Sequence, residues 1–305
     1  MGMGIGIGRI LLLAGALLLP AGCGSVEPTG RVELEGRPIT HALAGQGRPA
    51  IVFEAGLGYG MDSWAKVFPE TAAISTAFAY DRPGYGGSRT SGERLGDLLD
   101  LMPGSEILTA VDMLGPAEPA VTGAQAVERL DRILDAAGVR PPYILVGHSL
   151  GGQYVLTYAA RFPGKVVGIL LLDSRPKGFT DVCRERGLSP CEVPDWLRAL
   201  SPAHMRGEID GLAETDAMVP HPAALGEIPV IRLVATEYAV TLSAEFHALW
   251  VEMQRAEAAA QPNGRITLVE GSGHDIMTDQ PAVVTAALRD LVTAARQGGA
   301  HLPGP

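Results

Sequence analysis

Apolar and polar positions along this chain fall into two repeating patterns. Short, nearly continuous apolar runs cover residues 49–54, 76–81, 143–148, 165–173, 228–237 and 265–270. Runs of this length, bounded by Gly, Pro or charged residues, predict strands buried on both faces. Between them, apolar residues recur at helical spacing over 122–137 (closed by Gly138), 153–160, 243–260 and 282–296. A shorter helix is expected over 63–71, and the loose alternation of 31–43 predicts edge strands. Strands and helices alternating in this way define an α/β class, with a mostly parallel central sheet flanked by helices. The pattern breaks once between core strands, at residues 175–226, where two cysteines, Trp196, several prolines and short helical patterns gather. That stretch reads as an inserted cap rather than a separate domain. Segment 90–121 is longer than a connection needs and is expected to wall an entrance.

The run Tyr143-Ile144-Leu145-Val146 breaks into Gly147-His148-Ser149-Leu150-Gly151-Gly152 and then resumes with helical periodicity. A strand, a sharp turn bearing one serine, and a helix make up a nucleophile elbow. The glycines follow from crowding, because a Cβ at 147 or 151 would collide as the chain turns. Ser149 is expected in a strained backbone conformation, its hydroxyl above the sheet at the mouth of a helix N-terminus. In a chain with 39 glycines, Gly-x-Ser-x-Gly can arise by chance. Its place between strand and helix is what makes it informative.

Three more motifs follow strands: Glu54-Ala55-Gly56-Leu57-Gly58, Asp81-Arg82-Pro83-Gly84-Tyr85-Gly86-Gly87-Ser88 and Gly271-Ser272-Gly273-His274. Together with the elbow, in this order, they make the chain resemble the α/β-hydrolase fold superfamily, serine esterase/lipase type, over residues 38–296 apart from the cap. The resemblance implies Ser149 as nucleophile and His274 as the base that accepts its proton. It offers two places for the orienting acid. Glu237 stands at the commoner one, and Asp173 at one used by some haloalkane dehalogenases. The usual Gly-x-x-Asp turn is missing after Val234, whereas Asp173 stands cleanly at a strand tip, so Asp173 is the expected acid and Glu237 the alternative. The resemblance also implies an oxyanion hole made by the backbone N–H groups of Leu57 and Leu150. Ala55 replaces the His usual in the family's His-Gly-x-Gly loop, which leaves main-chain donors in place. Asp81 and Arg82 are expected to fix a loop near the site. A serine at 149 disfavours dehalogenase and epoxide chemistry, which would demand Asp there. The expected activity is hydrolysis of a small-molecule carboxylic ester through an acyl-enzyme, with no cofactor. Thioester, peptide or lactone cleavage, or a non-catalytic binding module of the same fold, are the alternatives.

Composition narrows the setting. The chain has 305 residues, 47% hydrophobic and 19% charged, enough for one large globular α/β domain. A net charge of −10, from 34 acids and 24 bases, argues against nucleic acid as a partner. Arg9 precedes an apolar core over 10–19 that is too short to span a bilayer, then Pro20-Ala21-Gly22-Cys23. Residues 1–23 are expected to be an export signal. Ala-Gly-Cys resembles the bacterial lipoprotein signal, in which Cys23 would be lipidated, although Pro20 stands where Leu is usual. The expected location is the cell envelope as a lipoprotein, or the exterior, with membrane contact only through that anchor. Residues 24–37 read as a tether, with the hydrolase domain over 38–298. Cys183 and Cys191 are expected to pair as a disulfide in an oxidising compartment, closing a loop whose constraint contributes ~2–3 kcal/mol. No His or further Cys stands near them at ligand spacing, so no metal is expected.

Overall fold

The computed structural model describes residues 25–90, 119–238 and 242–298. The expected export signal with Cys23, and most of the 90–121 segment, lie outside the described residues. The strands are β1 (Gly30–Leu34), β2 (Arg37–Ala44), β3 (Ala50–Glu54), β4 (Ala77–Tyr80), β5 (Tyr143–His148), β6 (Val166–Leu172), β7 (Val230–Ala235) and β8 (Gly264–Val269). They form one sheet in the order β1-β2-β4-β3-β5-β6-β7-β8. β2 is antiparallel to both β1 and β4, and every pair from β4 to β8 is parallel. β3, β4, β5 and β7 are buried at every position, as continuous apolar runs require when helices cover both faces.

The helices are α1 (Phe68–Ile74), α2 (Gly123–Ala136), α3 (Leu150–Arg161), α4 (Phe179–Glu185), α5 (Asp195–Leu200), α6 (Ala203–Asp210), α7 (Leu212–Met218), α8 (Ala244–Ala260), α9 (Ile276–Asp279) and α10 (Pro281–Arg296). The pleat sends alternate residues of each strand to opposite layers. Phe53, Ile144, Val146 and Leu170 pack with Phe68 of α1 and Leu288 and Leu291 of α10. Val52, Leu145, Ile169 and Leu171 pack with Leu130 and Ile133 of α2 and Val155 of α3. α2 starts at a capping box: the Thr122 hydroxyl accepts the Gln125 N–H, and the Gln125 side chain accepts the Thr122 N–H.

Two expectations change. The helix expected over 63–71 is split into a 3-10 turn, Met61–Trp64, and α1, whose second residue is Pro69. Proline fits the first turn of a helix because its missing N–H has no acceptor there. Part of the stretch placed in the tether instead belongs to the sheet, as β1 and the start of β2. β1 pairs with β2 from Gly30↔His41 to Leu34↔Arg37, and Val26 is buried with its N–H on the Asp62 carboxylate at 2.8 Å. Gly-Arg-Val-Glu-Leu opens the alternating stretch expected as edge strands, and its Val32 and Leu34 lie on the core. α4 to α7 occupy the stretch between β6 and β7, and Cys183 and Cys191 are disulfide-bonded there.

Candidate active site

Parallel strands place their carboxyl ends along one edge of the sheet, and the motif residues gather there. Ser149 follows β5 directly and precedes α3, at φ 51° and ψ −119°. That left-handed backbone is rare for a residue with a Cβ and costs on the order of 1–3 kcal/mol. The surrounding contacts enforce it. A Cβ on Gly151 would lie 2.2 Å from the Glu54 carbonyl oxygen and 2.6 Å from that of Ala55, and one on Gly147 would lie 2.6 Å from the Gly152 Cα. Both sets of neighbours are backbone and cannot swing aside. Gly151→Ala must therefore push the start of α3 away from the end of β3. A cost of ~1–3 kcal/mol and a fall in Tm on the order of 5 °C are expected by calorimetry, with lower activity. An unchanged Tm would show that the close approach is not there.

Asp173 follows β6, as Ser149 follows β5, and also has a positive φ, 40°. His274 lies in the loop between β8 and α9. Its Nδ1 is 2.7 Å from Asp173 Oδ2. Since a carboxylate accepts, Nδ1 carries the proton and Nε2 is left bare. The other carboxylate oxygen, Oδ1, accepts the indole N–H of Trp250 on α8 at 3.0 Å and the Ala235 N–H at 3.3 Å. Burial pulls the His274 pKa down, but the hydrogen bond and charge of Asp173, with the charge of Asp275, outweigh it and raise the ring above its ordinary 6.5. The ring is 43% exposed, so its free nitrogen is reachable. Glu237, the alternative acid, is exposed, and its backbone N–H binds the Ser272 carbonyl. The structure thus brings Asp173, not Glu237, onto the imidazole.

His148, within the elbow, has a part the motif does not announce. It is fully buried, and its Nε2 is 3.1 Å from the His274 carbonyl oxygen, so Nε2–H donates and ties the His274 loop to β5. Burial, then the neighbouring His274, hold its pKa well below the usual range, so the ring stays neutral. Gly56 packs against the same spot: a Cβ there would meet His148 Nδ1 at 2.9 Å and the Ser149 Cβ at 3.2 Å. The loop carrying Leu57 therefore abuts Ser149. Leu150 is the first residue of α3, and an N–H in a first turn has no acceptor within its own helix. Asp81 accepts the Met61 and Gly87 N–H groups, each at 2.8 Å, and Arg82 reaches the carbonyls of Ala55 and Gly56.

Ser149, Asp173 and His274 face a cavity of about 310 Å³ that is also lined by Glu237, Tyr238, Leu242, Phe246 and Trp250. Among the described residues, no group of three or more His, Cys, Asp or Glu side chains is placed to hold a metal ion, and no helix is long and apolar enough to cross a membrane. Trp250 and His148 were not legible as site residues. Their partners lie 77 and 126 positions away, and neither sits in a motif that signals the contact.

Comparison with known proteins agrees with this architecture. Residues 49–191 match the family model described as alpha/beta hydrolase fold. The uncharacterized protein YqjL of Bacillus subtilis (strain 168) is 26% identical over 267 residues, covering 86% of this chain and 91% of that protein. A serine hydrolase from the polyaromatic hydrocarbon-degrading bacterium Cycloclasticus zankles matches with a TM-score of 0.58 at 14% identity, over 87% of this chain and 98% of its own. A membrane phospholipase A, a bacterial virulence factor, matches with a TM-score of 0.57 at 19% identity, over 88% of this chain and 86% of its own. The chain has the alpha/beta hydrolase fold.

Proposed function

We propose that the protein is a serine hydrolase that cleaves carboxylic esters through an acyl-enzyme. The observation that carries this reading is the 2.7 Å contact of His274 Nδ1 with Asp173, on a ring that shares one cavity with Ser149. In the proposed reaction the Ser149 hydroxyl attacks the acyl carbonyl while His274 Nε2 takes its proton. Asp173 holds the ring in the tautomer that leaves Nε2 free, and stabilises the imidazolium that forms. The carbonyl oxygen, now carrying negative charge, is received by the N–H groups of Leu57 and Leu150. Collapse expels the alcohol, protonated by His274, and water then cleaves the acyl-enzyme by the same route.

The aromatic walls of the cavity and its size favour an ester with a small or medium apolar group. Export through residues 1–23, with lipid on Cys23, is part of the same proposal; its support is the sequence pattern and a disulfide in the domain.

The test is covalent labelling of the full chain by a fluorophosphonate, the adduct located by mass spectrometry, alongside a chain-length series of p-nitrophenyl esters. Phosphonylation at Ser149 and turnover that falls off for long acyl chains are expected. A folded protein that takes no label and turns over none of the esters would overturn the reading. The raised His274 pKa adds a pH prediction. Only the neutral ring can act as base, so kcat/KM should fall about tenfold per pH unit on the acid side, with its midpoint above the ordinary 6.5 of a histidine. A midpoint well below that value would contradict the Asp173–His274 pairing.

A further inference from the structure

Arg82 is buried, and its guanidinium uses every N–H donor it has. Nε and one Nη2 hydrogen take the Glu208 carboxylate, at 2.7 and 3.2 Å. Nη1 takes Glu54 Oε1 at 3.0 Å and the Ala55 carbonyl at 2.6 Å, and Nη2 also takes the Gly56 carbonyl at 2.7 Å. Glu208 accepts a further bond, from the Tyr85 hydroxyl at 2.7 Å, and that hydroxyl accepts the Gly58 N–H at 3.2 Å. The loop from Ala55 to Gly58 is therefore held at three main-chain points, by two side chains that both rest on Glu208. Glu208 itself is buried on α6, within the stretch inserted between β6 and β7.

The geometry has a chemical effect. A trans peptide is planar, with its C=O and N–H on opposite sides. Fixing the Gly56 carbonyl on Arg82 therefore fixes the direction of the Leu57 N–H, which leaves the same plane away from the guanidinium. The stretch so oriented abuts Ser149. An oxyanion donor works through prior alignment, since its full value is realised only when it needs no reorganisation as charge develops.

We infer that Glu208 is a positioning residue: acting through Arg82 and Tyr85, it aligns the 55–58 loop, so that the inserted helix α6 sets the strength of the oxyanion site. This rests on the ester-hydrolase reading above. Whatever shifts α6 then alters the rate of the chemical step, not only access to the cavity.

The experiment uses the full chain and two variants, Glu208→Gln and Tyr85→Phe, with active sites counted by fluorophosphonate titration. Each variant is expected to lower kcat per titrated site by about tenfold or more while KM stays within about twofold. Inhibition by phenylboronic acid, whose tetrahedral serine adduct places an oxygen in the oxyanion site, should weaken by the same factor as kcat/KM. A role confined to stability would lower Tm and the number of titratable sites, and leave kcat per site and the boronate constant unchanged; that result would overturn the inference while the hydrolase reading stands. Should Glu208→Gln fail to fold, Tyr85→Phe decides alone, because it removes a single oxygen. A wild-type protein that neither turns over ester nor takes the label would overturn both.

Discussion

Ser149→Ala is expected to lower kcat for ester hydrolysis by on the order of 10⁶-fold, because in the proposed mechanism His274 and Asp173 act only through the serine oxygen. What rate remains would come from the oxyanion donors and substrate binding. The substitution keeps the Cβ, so the backbone at φ 51° stays strained. Ser149→Gly removes that conflict. It should be as inactive as Ser149→Ala yet melt higher, by about 2–4 °C for ~1 kcal/mol of released strain. Steady-state kinetics and calorimetry on both variants check the two claims separately. Activity of Ser149→Ala within tenfold of wild type would exclude Ser149 as nucleophile, and equal melting of the two variants would exclude the strain.

Asp173→Asn should cost about 10⁴-fold in kcat, and Glu237→Gln no more than a few-fold. The size of the first effect follows from what surrounds the carboxylate. Oδ1 already accepts the Trp250 and Ala235 N–H groups, so an Asn would keep its oxygen there and turn its amide nitrogen toward His274. An N–H donor facing Nδ1 selects the tautomer with the proton on Nε2, which cannot serve as base. Removing the negative charge also lowers the His274 pKa, so the acid limb of the residual activity should move to lower pH. Kinetics across pH on both variants would show it. Near-full activity in Asp173→Asn with a large loss in Glu237→Gln would reverse the assignment.

The fold was readable in the sequence because its signals are local. Each buried strand is a continuous apolar run, and Gly147 to Gly151 carry the elbow within a few residues. His274 could be singled out by its place after the last strand. Long-range pairings were less legible. Asp173 and Glu237 both follow core strands, and only the packing of β6 beside β5, with the loop after β8 folded back, brings one of them to a ring 101 residues away. Glu208 lies 126 residues from Arg82 in a region without a motif, so nothing local marks it. The domain boundary at residue 38 misled for the opposite reason, since it left β1 outside the fold. An edge strand needs only one apolar side, and Val32 and Leu34 between charged neighbours mark it only weakly.

The point where the chain enters the domain bears on how such an enzyme would meet its substrate. The entering chain is held by the Val26 N–H on Asp62, in the 3-10 turn just after the loop that leaves the carboxyl end of β3, which puts its entry on the side of the sheet that carries Ser149. If Cys23 bears lipid as proposed, only ~10 Å of extended chain separates the acyl chains from the folded body. So short a leash would turn the catalytic rim toward the bilayer and make the headgroup layer, rather than bulk water, the phase from which the ester is drawn.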